Sequence, residues 1–202
     1  MANSGGPDST CLLFLLHSYL DFLLRPFGNL KSHLFTNSET RFPTRLISLT
    51  VDHDLQPSSK EMAERAGNIA KSLGVEHATL KLPWGQNTFH PKPGLDEKIE
   101  GIARAMRYKV LFKYMKMRGA TAVALGHHAD DQVETMLMRL GRGSSAYGLA
   151  AMKSCRRWGM GDSFARYGFE GMKKWIVRPL LPFDKVLVCT FVVCSVSLML
   201  AG

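Results

Sequence analysis

Apolar and polar positions along this chain fall into alternating blocks that predict helices and strands in turn. An apolar run from Cys11 to Leu24 is long enough for a helix, and it follows directly on the turn-forming segment Ser4-Gly5-Gly6-Pro7-Asp8-Ser9-Thr10. A polar connection from Pro26 to Pro43 leads to a strand, Leu46 to Val51, that ends in Asp52-His53-Asp54. Ser58 to Leu73 has helical spacing, with Ser58 or Ser59 as cap and Gly74 as stop. Glu76 to Leu82 reads as a second strand, Pro83 to Pro93 as a loop, and Leu95 to Arg118 as a helix ended by Gly119. Ala120 to Leu125 is a third strand, and His127 to Asp131 turns into a helix from Gln132 to Leu140. Strands alternating with helices predict an α/β fold: an open parallel sheet with helices on both faces and ligands beyond the carboxyl ends of the strands. The glycine loop, Asp52-His53 and Gly126-His127-His128 all fall at such ends.

Composition narrows the class. With 202 residues, 46% hydrophobic and 21% charged, the chain has the make-up of one soluble globular domain, without internal repeats. Its net charge of +9 favours a polyanionic partner, nucleic acid first. The cations Lys153, Arg156, Arg157, Arg166, Lys173, Lys174 and Arg178 share one stretch with Trp158, Tyr167, Phe169 and Trp175, opposed only by Asp162 and Glu170. Cations for phosphates beside rings for bases suit RNA; a solvated face over buried aromatics is the plainer alternative. Cys11, Cys155, Cys189 and Cys194 have neither CxxC spacing nor a dense disulfide pattern, which points to a reducing compartment and no structural zinc. No secretory signal is readable. From Val186 to Gly202 the chain is uncharged, VLVCTFVVCSVSLMLAG. As a helix it would reach roughly 25 Å, marginal for a bilayer, so a membrane anchor is disfavoured; its β-branched residues also permit a buried strand.

Two segments carry chemistry. In the loop, adjacent glycines allow positive φ and close backbone approach, Ser4 and Ser9 supply hydroxyl donors, and the following helix aims its free N–H groups at the same point. A phosphate or pyrophosphate is the expected guest; a glycine turn capped by Asp8 or Ser9 is the alternative. No Gly-Lys-Ser/Thr ending is present, so the chemistry of Walker-loop kinases is not indicated. The second segment, Gly126 to Thr135, packs His127, His128, Asp130, Asp131 and Glu134 into ten residues. Asp130 and Glu134 share one helix face, and carboxylates near a triphosphate suit magnesium. No third well-spaced histidine or cysteine supports zinc. An acid-rich first helical turn accounts for Asp130 and Asp131, but not for the two histidines.

The loop resembles the SGGxDS pyrophosphate loop of the N-type ATP pyrophosphatases, the PP-loop family. GHHADDQVETMLMRLGRGSSAYGLAAM, Gly126 to Met152, resembles the HHxDDQxET…LxRGSGxxGLxxM block of tRNA(Ile)-lysidine synthases. Val51 to Pro57 is similar to that family's VDHGLRP, with Asp54 in place of glycine and Gln56 in place of arginine; Ser145 replaces a glycine of RGSG. Ala103 to Tyr108 is similar to ARxxRY, and Arg178 to Leu181 to RPLL, so the likeness runs from residue 4 to 185. Related tRNA thiolases share the GHHxDDxxET core but carry CxxC pairs that this chain lacks.

The resemblance implies a Rossmann-like, adenine nucleotide alpha hydrolase-like fold over residues 1–185, with 186–202 a tail of other origin. It implies ATP and Mg2+ as cofactors and tRNA(Ile) and free L-lysine as substrates. No obligate protein partner is implied, and a homodimer stays open. ATP would activate C2 of the wobble cytidine as an adenylate, and lysine would displace AMP. Ser4, Gly5, Gly6, Pro7, Asp8, Ser9, Asp52, His53, Gly126 and His127 are the implied ATP-binding residues, with Asp8, Asp130 and Asp131 on the metal. His128, Asp130, Asp131 and Glu134 would be catalytic. Arg104, Arg107, Arg139, Arg142, Arg156, Arg157 and Arg178 would meet tRNA. The alternatives are a tRNA thiolase, a PP-loop synthetase of another kind, or an inactive nucleotide- or RNA-binding fragment. Cytosol is implied for a bacterial member, mitochondrion or plastid for a eukaryotic one. The family places an apolar strand before the loop, where this chain has Met1-Ala2-Asn3, so the first strand is expected to be missing and the gene model incomplete.

Overall fold

The computed structural model describes residues 1–24, 44–56, 58–94, 99–143, 152–160 and 164–191. The expected connection at 26–43, Pro57, the helix start at 95–98, the glycine-rich block at 144–151, Asp162 and the tail at 192–202 lie outside the described residues.

Helix α1 (Pro7–Leu24) begins inside the glycine loop, four residues before its apolar run. Proline suits this first helical position, because an amide there has no intrahelical acceptor to lose. Strand β1 (Ile47–Asp52), helix α2 (Ser59–Ser72), strand β2 (Glu76–Lys81), helix α3 (Ile99–Met117) and strand β3 (Ala122–Ala124) follow as the pattern predicts. Gly74 ends α2 with φ +68, a conformation that suits glycine. Helix α4 (Ala129–Gly141) starts three residues before its predicted start at Gln132. Three elements were not predicted: β4 (Cys155–Arg157), α5 (Phe164–Met172) and β5 (Trp175–Val177).

β1 and β2 pair in parallel, Ser48 opposite His77. A second sheet has the order β3-β5-β4, with β3 and β5 parallel and β4 antiparallel. The expected parallel pairing is present in β1-β2 and β3-β5, with β4 added antiparallel at one edge. Where a central strand was expected to be missing, Met1 to Asn3 form a short bridge. Met1 and Asn3 bond to Ile47 and Leu49 of β1, and Ala2 N–H donates to Ala124 O of β3 at 2.9 Å. No strand forms there, yet the backbones of β1 and β3 both find partners.

Alternation along β3 divides the core. Ala124 faces one apolar cluster with Cys11, Leu12 and Leu13 of α1 and Ala70 of α2. Val123 faces the other, with Leu111 and Met115 of α3, Trp158 and Ile176. Helices therefore cover both faces. Residues 185–191 are helical, Val188 is buried in the first cluster, and the Phe191 ring meets Phe14 edge-on. Among the described residues no helix is long and apolar enough to cross a membrane.

Candidate active site

The loop between Ala2 and α1 is curled by its own side chains. Gly5 has φ +79, and a Cβ there would lie 2.6 Å from Met62 O on α2, so only glycine fits without displacing that backbone. Asn3 Oδ1 accepts from Gly5 N–H and from Ser9 Oγ, each at 3.0 Å. Ser4 N–H donates to Ser9 Oγ at 3.2 Å, and Thr10 Oγ1 donates to Gly6 O at 2.9 Å. The first-turn amides of α1, which helix geometry leaves without intrahelical acceptors, give this end a positive field.

Ser4, Asp8 and Ser9 line one side of a cavity of about 490 Å³. His53, just past β1, and Arg104 and Arg107 of α3 line another, and Gly126, His127 and Asp131 complete the wall. A Cβ at Gly126 would sit 3.2 Å from the Asp8 and Ser9 backbone, so this glycine lets the β3 exit press against the loop. Segments far apart in sequence thus converge at the ends of β1 and β3.

Electrostatics set what these groups do. Arg178 Nε donates to His127 Nδ1 at 3.1 Å, which leaves the histidine's proton on Nε2. Burial, reinforced by the Arg178 charge, lowers the His127 pKa to about 4, so the ring is neutral. Burial and Arg107 also lower the pKa of His53, whose Nδ1 is buried without a partner. Arg107 Nε is likewise buried and unpartnered. His128, 4% exposed, has Asp8 and Asp131 carboxylate oxygens each 3.7 Å from Nε2 and Asp130 Oδ2 3.4 Å from Nδ1. Asp131 Oδ2 also accepts from His128 N–H at 2.9 Å, capping α4.

The other expected residues have other surroundings. Asp52 Oδ1 accepts from Asp54 N–H and Ser59 Oγ; burial opposes its ionisation, but these bonds and Lys81 outweigh it and hold its carboxyl below the usual range. It braces the turn after β1 rather than lining the cavity. Asp54, which stands where the family has glycine, takes a left-handed φ of 52. Asp130 accepts from Lys185 N–H at 2.7 Å, and Glu134 is exposed; neither lines the cavity. Gly5, Gly6 and Pro7 form the turn of the loop and do not line the cavity. Arg139 and Arg142 lie at the end of α4, away from the cavity. Arg156 and Arg157 lie on β4, with Arg157 stacked 3.6 Å over the Trp175 ring. Arg178 corrects its expected place at the RNA surface: it is 3% exposed and donates to Lys153 O as well as to His127. Trp158 is buried beside Tyr108, Phe112 and Tyr167, not presented for stacking.

Sequence reasoning passed over Asn3 and Thr50, and read Ser59 only as a candidate helix cap. Asn3 stands two residues before a glycine with positive φ, and an asparagine there is a turn signal. Nothing in the sequence marks Thr50, whose hydroxyl donates to Asn3 O. Among the described residues no three histidine, cysteine or acidic groups form a metal cluster. Asp8 Oδ1, however, is a buried oxygen without a partner, and Asp131 shares its histidine neighbour, so one or two carboxylates fit an ion that takes its other ligands from phosphate and water.

The chain matches the PP-loop domain family over residues 1–195 and belongs to it. It is 36% identical over 157 residues to the tRNA(Ile)-lysidine synthase of Bradyrhizobium sp. (strain BTAi1), covering 78% of this chain and 37% of that one. It is 37% identical over 186 residues to the tRNA(Ile)-lysidine synthase of Brucella anthropi (91% and 34%), and 31% over 185 residues to that of Zymomonas mobilis (92% and 44%). The chain therefore spans less than half the length of these curated relatives. Among solved structures, the U34-tRNA thiolase NcsA of Methanococcus maripaludis superposes with a TM-score of 0.65 at 18% identity, over 95% of this chain and 54% of that one, a likeness of fold.

Proposed function

We propose that this chain is the ATP-cleaving core of a tRNA modification enzyme that joins free L-lysine to C2 of the wobble cytidine of tRNA(Ile). The observation that carries the reading is the convergence of the phosphate loop, His53, His127, Arg104, Arg107 and Asp131 on one cavity. The identity to lysidine synthases supports the substrate. All these residues fall within 1–185, the stretch we take as the pyrophosphatase domain.

The cytidine C2 oxygen attacks the α-phosphorus of ATP, and the bond to the β-phosphate oxygen breaks. The Ser4 hydroxyl and the first amides of α1, on a loop held in shape by Ser9 and Asn3, receive the charge that develops on departing pyrophosphate, the point at which fixed donors count most. Arg104 and Arg107 offset charge from the opposite wall. The His127 Nε2–H is a neutral donor for a phosphate or carbonyl oxygen. In the second half the lysine ε-nitrogen bonds to C2, the C2–O bond breaks and AMP leaves. Asp131 attracts the ammonium and removes its proton once that amine is engaged. Magnesium, held by Asp8 and Asp131, would neutralise phosphate charge. Asp130 accepts from Lys185 N–H and lies with Oδ2 3.4 Å from His128 Nδ1, on the far side of that ring from Asp8. Incubation with ATP, lysine and tRNA(Ile), followed by mass analysis of the wobble nucleotide, tests this. A lysine adduct is expected; sulfur incorporation, or binding without turnover, overturns it.

A further inference from the structure

Behind the phosphate loop a chain of hydrogen bonds runs away from the cavity and across the sheet. It starts at Asn3, whose Oδ1 faces the loop donors Gly5 N–H and Ser9 Oγ while Nδ2 lies 3.1 Å from Ser48 Oγ. Ser48 is fully buried on β1, and its register partner on β2, His77, places Nδ1 3.0 Å from the same hydroxyl. His77 Nε2 meets Thr79 Oγ1 at 3.3 Å. Neither Ser48 nor His77 lines the cavity. Against the His77 ring lies Gly67 of α2, where a Cβ would come 3.2 Å from Cδ2.

Proton accounting gives the chain a direction. The Asn3 amide nitrogen only donates, so Ser48 accepts from it and its single proton goes to His77 Nδ1; the imidazole proton then lies on Nε2, toward Thr79. Burial and the Lys71 charge lower the His77 pKa, which favours the neutral ring this arrangement requires. Because Ser48 has spent its proton on His77, it offers Asn3 only a lone pair. The amide must turn its NH2 to Ser48 and its oxygen to the loop. Without the acceptor at His77, the Ser48 proton is free to point at Asn3, and a flipped amide would set its NH2 against the N–H of Gly5. A polar chain in a sheet interior carries a desolvation cost that an apolar pair avoids; what it delivers is orientation.

We propose that Ser48 and His77 are positioning residues for the phosphate loop, holding through Asn3 the positions of Gly5 and Ser9 and with them the curl of the loop whose other donors meet the phosphates of ATP. The proposal deepens the reading of Ser4–Ser9 as a pyrophosphate grip and rests on it. The test uses the full chain and inorganic pyrophosphate, followed by calorimetry, with 15N NMR of the Asn3 amide and His77 ring. Ser48→Ala and His77→Phe should weaken pyrophosphate binding about two- to tenfold, the span expected for one lost hydrogen bond. His77→Asn, whose Oδ1 restores an acceptor, should bind as the unaltered chain does. Equal binding by all variants, or His77→Asn failing as far as His77→Phe, overturns the proposal. If the unaltered chain binds no pyrophosphate, the grip reading fails, and the NMR still decides the positioning. Displaced Gly5 and Asn3 amide signals in Ser48→Ala support it; unmoved signals overturn it.

Discussion

The His127 ring takes its proton state from two neighbours rather than from its own chemistry. Arg178 donates to Nδ1, and burial with that nearby cation lowers the pKa from 6.5 to about 4. In the unfolded chain the imidazole titrates near its ordinary value, so below about 6.5 the unfolded state takes up a proton that the folded state refuses. The stabilising contribution is complete above that pH and is lost as pH falls toward about 4. Its size is on the order of 3 kcal/mol. Denaturant unfolding from pH 8 to pH 4 should therefore show a steeper loss of stability in the unaltered chain than in His127→Gln. Parallel curves would mean that the ring is accessible to water and titrates normally. The same pair explains why Arg178 reads wrongly from sequence alone: its partner lies 51 residues away, and a lone arginine in a basic stretch looks like a surface cation.

At the scale of elements, the start of α4 joins structure to chemistry, because Asp131 both caps the helix and lines the cavity. Asp131→Ala should cost about 1 kcal/mol, the usual loss for a missing cap, together with activity. Asp131→Asn keeps an acceptor for His128 N–H and should retain the melting temperature while losing turnover. If both variants keep full turnover, Asp131 has no part in the chemistry. The sequence revealed α4 but not its first turn, since histidine is not a usual cap residue and the apolar spacing begins only at Val133. β1, α2, β2 and α3 were legible because each has several periods of pattern, and Gly74 and Gly119 close the two helices. β4 and β5 were not, for physical reasons. Each is three residues long, too short to show alternation, and Cys155-Arg156-Arg157 is a strand only because β5 pairs with it. The loop and the two histidines were legible as chemistry because glycine and histidine at such spacing have few structural uses. The inward turn of Arg104 and Arg107 was not, since α3 carries little amphipathic contrast to say which face is covered.

For the whole molecule, the net charge of +9 sets long-range attraction to any polyanion, while its placement decides where that polyanion docks. Arg156 and Arg157 lie on β4, which among the described residues pairs only with β5, at the margin of its sheet. Two explanations compete for cations in that position. Charges on an edge strand discourage pairing with other chains, a role that needs no ligand. Phosphate contact is the other, and the stacking of Arg157 on Trp175 favours it, because a guanidinium held over a ring loses less freedom on binding. Salt dependence separates them. If Arg156 and Arg157 each neutralise a tRNA phosphate, changing both to Glu should weaken tRNA binding and flatten the plot of log affinity against log salt by about one unit for each phosphate no longer neutralised. Pyrophosphate binding should not change, since neither residue lines the cavity. If the two arginines only guard an edge, the salt slope for tRNA will stay as it was, and the double variant will instead change its tendency to self-associate.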